Sequence, residues 1–145
     1  MGYRIQSATN IASAAIVLGV DLSFNNPGIF KANYQTNQQA KSNLKNLLLT
    51  RIGERYHQVT YGTNLLNILF QPNVIELKED ISDEISSAIS FWLPYISINE
   101  LTIVTVEDDP TLLETVKISL TYSVNNFSTD KITIISGENG QVTIT

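Results

Sequence analysis

Few residues in this chain could carry chemistry. His57 is the only histidine and there is no cysteine. A two-histidine metal site, a cysteine-based zinc or iron–sulfur site, a cysteine nucleophile and a disulfide scaffold are therefore excluded within it. His57 could act as a general base, but no serine or aspartate spacing around it suggests a triad. It reads as a polar loop residue. Asp108 and Asp109 are adjacent carboxylates before Pro110. Glycoside hydrolysis needs two carboxyls facing each other across a substrate, whereas adjacent acids before a proline fill a turn. Glu76, Glu79, Asp80, Asp83 and Glu84 form an acidic cluster. It reads as the solvated face of a helix, with a basic partner surface as the alternative. Gly53 and Gly62 are too far apart for a phosphate loop, and no Gly-Lys-Ser/Thr occurs. This inventory calls for no enzyme, no metal and no cofactor.

The elements that must position these residues can be read from spacing. Asn25-Asn26-Pro27-Gly28 reads as a turn and 29–34 as a short strand. The segment before Asp21 is a strand or an arm. A helix is expected from about Thr36 to Arg51, because Ala40, Leu44, Leu47, Leu48 and Arg51 recur at three- and four-residue steps. Thr36 with Gln39 resembles a capping box, and Gly53 supplies a stop. A loop over 52–62 leads to a short apolar helix from Thr63 to Phe70, broken by Gln71-Pro72-Asn73. The strongest helix is expected from Val74 to Leu93, with Val74, Leu77, Ile81, Ile85, Ala88, Ile89 and Trp92 on one stripe. Pro94 ends it. Strands follow at Leu101–Glu107, Val116–Val124 and Lys131–Ile135, and residues 142–145 form a fourth strand or a free tail. Asp108-Asp109-Pro110, Asn125-Asn126 and 137–140 read as the turns between them. Helices first and a meander afterwards predict an α+β domain. Its helices pack on one face of a mostly antiparallel, three- to four-stranded C-terminal sheet. Residues 1–34 are an N-terminal arm or extension, and 35–145 are the domain.

Composition agrees with a strand-rich, single-domain chain. The 145 residues are 43% hydrophobic but only 16% charged, below the usual quarter. Eighteen isoleucines and nine valines favour strands. Residues 1–60 hold six basic and two acidic groups, and residues 61–145 hold three basic and twelve acidic. The net charge of −5 argues against nucleic-acid binding, which needs many phosphate-neutralising cations. The split suggests two surfaces of opposite sign facing different neighbours. Spanning a membrane takes about 20 apolar residues, and the run from Ile11 to Val20 is too short.

One stretch is more specific. The first helix ends in Leu48-Leu49-Thr50-Arg51 and is followed by Ile52-Gly53-Glu54-Arg55. Beyond it come Tyr61-Gly62-Thr63-Asn64-Leu65 and Leu69-Phe70. The pattern resembles the small baseplate wedge family of contractile-tailed phages. That family includes the gene-25 product of T4-type phages and the TssE component of type VI secretion. The likeness covers about residues 35–135. Family members share a helix, Gly-Glu-Arg, a Phe/Tyr-Gly-x-x-Leu start to a short helix, a long amphipathic helix and a three-stranded sheet. The family's Glu-Pro-Arg after the long helix is replaced here by Leu93-Pro94-Tyr95, so only Pro94 matches. Packing through Trp92, Leu93 and Tyr95 could replace charge-based docking there.

The resemblance implies a structural virion protein of the tail baseplate, assembled in the host cytoplasm. Its implied partners are the wedge scaffold proteins and the tail sheath protein, with tail tube or hub proteins beside them. The implied docking residues are Gly53, Glu54, Arg55, Tyr61, Gly62, Trp92, Pro94 and Tyr95. Lys131, Thr133 and Ile135 mark a sheet edge at which a sheath strand could add, with backbone hydrogen bonds giving affinity. The alternative for Gly53-Glu54-Arg55 is local: a glycine stop with Glu54 and Arg55 paired. Two other functions stand beside this one. The same scaffold could serve a secretion or other injection machine. A lysozyme-like hydrolase would need two carboxyls about 5–9 Å apart, and Glu54 with Asp108 or Asp109 is the pair that comes nearest.

Overall fold

The computed structural model describes residues 17–21, 31–70, 74–105, 108, 109, 111, 115–125, 128–137 and 142–144. The expected turns at 25–28 and 138–140, the break at 71–73, and Pro110 and Asn126 lie outside them. Two short strands, β1 (Gly19–Asp21) and β2 (Lys31–Asn33), pair antiparallel. Three helices follow: α1 (Thr36–Leu49), α2 (Leu65–Ile68) and α3 (Val74–Trp92). Then come β3 (Ile96–Val104), β4 (Val116–Val124), β5 (Ser128–Ser136) and β6 (Val142–Ile144). They form a four-stranded antiparallel meander in chain order. The fold is α+β, as the order of elements predicts, and residues 142–144 pair with β5 as a fourth strand.

The helices cover one face of the sheet. α1 packs against β4 and β5, and α3 against β3. Alternation on β4 turns Val116, Ile118, Leu120, Tyr122 and Val124 inward. They meet Leu44, Leu47 and Leu48 of α1, Ile81, Ile85 and Ile89 of α3, and Ile132 and Ile134 of β5 in one core. Lys117, Lys131 and Ile135 are exposed on the other side of the sheet.

Three local expectations are corrected. The capping box does not form: Gln35 is the N-cap and makes no side-chain cap bond. Gln39 is engaged elsewhere. It accepts from Asn33 Nδ2 (3.1 Å) and donates to Asn43 Oδ1 (2.8 Å). Asn33, only 1% exposed, also donates to Ser42 Oγ, so a buried polar network ties β2 to α1. A buried amide needs such partners, and that demand outweighs a cap exposed to water. Second, α1 ends at Leu49, and Thr50 turns extended with φ −82° and ψ 125°. Its hydroxyl and its N–H both donate to the Asn46 carbonyl. Gly53 is therefore not the helix stop, and Arg51 leaves the apolar stripe and is exposed. Third, β3 starts at Ile96, five residues before the expected Leu101. A register shift between Ile98 and Glu100 breaks the alternation, so period two is hidden in the sequence.

Candidate functional site: an aromatic ridge on the signature loop

The chain between α1 and α2 is a tightly bonded loop. Glu54 N–H donates to the Arg51 carbonyl (3.1 Å), and Arg51 N–H donates to Glu54 Oε2 (3.0 Å). Glu54 thus closes its own turn, and no ion pair joins it to Arg55 among the described residues. Gly53, at φ +95°, donates its N–H to the Val59 carbonyl (2.8 Å). Thr63 closes the base, with its N–H on the Thr50 carbonyl (2.8 Å) and its hydroxyl on the Leu48 carbonyl (3.1 Å). Gly62 sits at φ +123° against the backbone of Thr50 and Arg51. Only a residue without Cβ fits there.

The loop places Arg55 over the Tyr61 ring, with its guanidinium carbon 3.6 Å from the centroid. Tyr61 is buried and meets Trp92 edge-on at 5.0 Å, and Trp92 meets Phe91 edge-on at 4.9 Å. Burial pushes the Tyr61 phenol pKa upward, partly offset by the Arg55 cation. The ring therefore stays neutral as a platform. The ladder runs from a cation to Phe91, which is 74% exposed. Tyr56, 91% exposed, stands on the same loop edge-on to His57 at 5.1 Å. Ile52 and Val59 are exposed beside it. These exposed side chains lie on the loop between α1 and α2 and at the C-terminal end of α3.

Arg55, Tyr61, Gly62 and Trp92 are thus brought together, with Gly53 and Glu54 shaping the turn beneath them. Pro94 is exposed, but Leu93 is buried, and Tyr95 turns inward, where its hydroxyl accepts from Asn43 Nδ2 (2.9 Å). Phe91 and Tyr56 are additions that spacing alone did not select. Phe91 lies off the arc of the α3 stripe, which is the signal that separates it from Trp92. On the sheet, β5 lies between β4 and β6. Ile135 pairs with Thr143 of β6, while Lys131 and Thr133 have no β6 partner among the described residues.

The carboxylates are placed otherwise. Asp108 pairs with Lys78 at 2.8 Å and accepts from the N–H and hydroxyl of Thr105. Asp109 accepts from the N–H and hydroxyl of Thr111. The bond from Lys78 in the first case, and the Thr111 bonds in the second, hold both below the usual carboxylate value of 3.8. A glycosidase general acid needs the opposite shift. In a carboxyl-carbon NMR titration both groups should show midpoints below 3.8; a midpoint near 6 at either would restore acid catalysis. Because folding depresses these values, any stabilisation they give is present above the unfolded pKa and fades as pH falls through the folded one. Glu84 accepts from Asn64 N–H (2.6 Å) at the start of α2, so it is not merely solvated. Among the described residues no group of three His, Cys, Asp or Glu could hold a metal ion, and no helix is long and apolar enough to cross a membrane.

Comparison with solved structures finds a crystal structure named as a tail lysozyme of Geobacter sulfurreducens. It superposes with a TM-score of 0.59 at 17% identity, covering 70% of this chain and 89% of that one. At that identity the likeness carries the fold alone. Comparison with curated proteins finds no match. The family model for baseplate wedge protein gp25 matches residues 35–127. That span runs from the first turn of α1 past the end of β4, and the chain belongs to the baseplate wedge protein gp25 family.

Proposed function

We propose that this chain is a non-enzymatic building block of a contractile tail baseplate. It docks onto the wedge scaffold through the Arg55–Tyr61–Trp92–Phe91 ladder and templates the first sheath ring by offering a sheet edge. The observation that carries the docking reading is the ladder itself. A loop braced by five backbone and side-chain bonds presents an arginine and exposed aromatics, the residue types that dominate interface energetics. The family's role as a structural baseplate part supports the assignment. The low charge content fits a surface that assembly covers.

The test is retention of the purified wedge scaffold protein by the full chain and by a Tyr56→Ala/Phe91→Ala variant. Both side chains are largely exposed, so folding should be unaffected. Loss of two interface anchors should weaken retention by about a hundredfold, the equivalent of ~3 kcal/mol. Equal retention by both proteins would remove this surface from the docking role.

A further inference from the structure

A line of side-chain hydrogen bonds runs from the N-terminal hairpin to the end of α3. It starts at Asn33 of β2, which is buried and donates from its amide to Gln39 Oε1 and to Ser42 Oγ, each at 3.1 Å. Gln39 Nε2 donates to Asn43 Oδ1 (2.8 Å), and Asn43 Nδ2 donates to the Tyr95 hydroxyl (2.9 Å). Gln39 and Asn43 stand one turn apart on α1, so their amides meet along one side of the helix. Tyr95 lies 52 positions beyond Asn43, at the corner between α3 and β3. Each of the three links from Asn33 to Tyr95 is donated in the same direction.

At its first end the line is pressed as well as fed by the hairpin. Gly19 of β1 lies directly against the Gln39 amide, and a Cβ at this position would overlap it. Among the described residues the hairpin adds no side chain to the apolar core, and Val17, Leu18 and Val20 are exposed. Its seat on α1 therefore depends on polar contacts. A hairpin of this size has little stability of its own. At its other end the line reaches the aromatic ladder. Tyr95 packs against the core three residues after Trp92. It is also a neighbour of Tyr61: burial raises the Tyr61 pKa, the Arg55 cation lowers it, and the Tyr95 phenol raises it again.

We infer that Asn43 is a positioning residue for the aromatic ladder and that the β1–β2 hairpin sets its orientation. The seated hairpin fixes Gln39, Gln39 fixes the Asn43 amide, and Asn43 holds Tyr95 beside Tyr61 and the end of α3. A broken link leaves the next amide without a partner, and a partly buried amide rearranges to regain one. The inference rests on the docking reading above for its consequence, which is that seating of the hairpin governs affinity for the wedge scaffold.

Trp92 is the only tryptophan, so quenching of its fluorescence by acrylamide reports on the ladder itself. The experiment measures that quenching, and retention of the purified wedge scaffold protein, for the full chain and for Gly19→Ala, Asn43→Ala, Asn43→Asp, Tyr95→Phe and Gly19→Ala/Tyr95→Phe. Gly19 has ordinary strand backbone, so alanine there acts by displacing the Gln39 amide. The expected result is an increase of about twofold in the quenching constant and about tenfold weaker retention for Gly19→Ala, Asn43→Ala and Tyr95→Phe. The double variant should be no worse than the worse single, because links of one chain are not additive. Asn43→Asp should stay near the parent, since a carboxylate accepts from Gln39 and also from a Tyr95 hydroxyl turned to donate. Gly19 lies outside the core, so its variant keeps the test valid if Asn43→Ala unfolds. Unchanged quenching in Gly19→Ala, or additive effects in the double variant, would overturn the coupling. Altered quenching with unchanged retention would overturn the positioning role. No retention of the scaffold by the parent would instead remove the docking reading, and the quenching series alone would then decide whether the hairpin orients Asn43.

Discussion

Gly62→Ala is expected to lower the free energy of unfolding by about 2–5 kcal/mol. A left-handed conformation at a residue with Cβ costs about 1–2 kcal/mol, and overpacking adds about 1–3. The new Cβ would collide with the Thr50 carbonyl oxygen. That oxygen accepts the Thr63 N–H (2.8 Å), and the neighbouring residues Arg51 and Thr63 form a β-bridge. The methyl cannot be accommodated without opening the base of the signature loop. Gly53→Ala makes the contrast. Gly53 is also left-handed, at φ +95°, but no atom lies within 4 Å of the added Cβ. Its cost should stay at the conformational part alone, about 1–2 kcal/mol. Urea unfolding of both variants reads the difference. Equal costs would mean that backbone conformation alone, and not the contact with Thr50, makes Gly62 necessary. Opening this base would also loosen Tyr61, which follows directly from Gly62's neighbouring position, and with it the platform under Arg55.

Ile81→Ala should cost about 3–4 kcal/mol, the usual range for truncating a buried branched side chain when the surroundings cannot collapse. Ile81 is fully buried at the centre of the α3 stripe and belongs to the cluster that joins both long helices to the sheet. Its neighbours are held by strand pairing and by α1, so little relaxation is available. At about 3 °C per kcal/mol for a chain of this size, thermal unfolding should shift down by about 10 °C. Ile135→Ala is the control. Ile135 lies on the uncovered face of the sheet and is 37% exposed, so its loss should cost under about 1 kcal/mol. A shift at Ile81 no greater than at Ile135 would mean that α3 is not seated on the sheet as described. Since domains are stable by only about 5–15 kcal/mol, the Ile81 variant should still fold.

Regions where one periodicity dominates were legible without coordinates. The α3 stripe predicts a helix over 74–93, and the structure has Val74–Trp92. The alternation over 116–124 predicts a strand, and β4 occupies those residues. β5 begins three residues earlier than its apolar alternation, because Ser128, Thr129 and Asp130 pair with Val124, Ser123 and Tyr122 of a neighbour already in place. Propensity is a weak guide where pairing supplies the order. The short elements depended still more on context. Gln39 serves Asn33 and Asn43 instead of capping its helix, and nothing local announces that choice.

The candidate surface divides in the same way. Gly-Glu-Arg and Tyr-Gly-x-x-Leu were visible as a pattern, and their spacing pointed to the family. The partners of those residues were not visible. The loop reading paired Glu54 with Arg55, whereas Glu54 bonds the Arg51 N–H and Arg55 lies over Tyr61. Trp92 meets Tyr61 across 31 positions of chain, a contact that only the packing of α3 beside the loop can create.

By itself, the amino-acid order determined the elements with strong periodicity, the α+β class, the lack of thiol chemistry, and the division into a basic first part and an acidic second part. Each of these follows from composition or from spacing within one segment. The tertiary structure alone decided that Tyr61, Trp92 and Phe91 form one ladder, that Asp108 binds Lys78, and that β3 has no outer strand partner among the described residues. These depend on distances between residues far apart in the chain, which are set by how the helices bury their stripes against the sheet. Side-chain type and local spacing do not encode those distances.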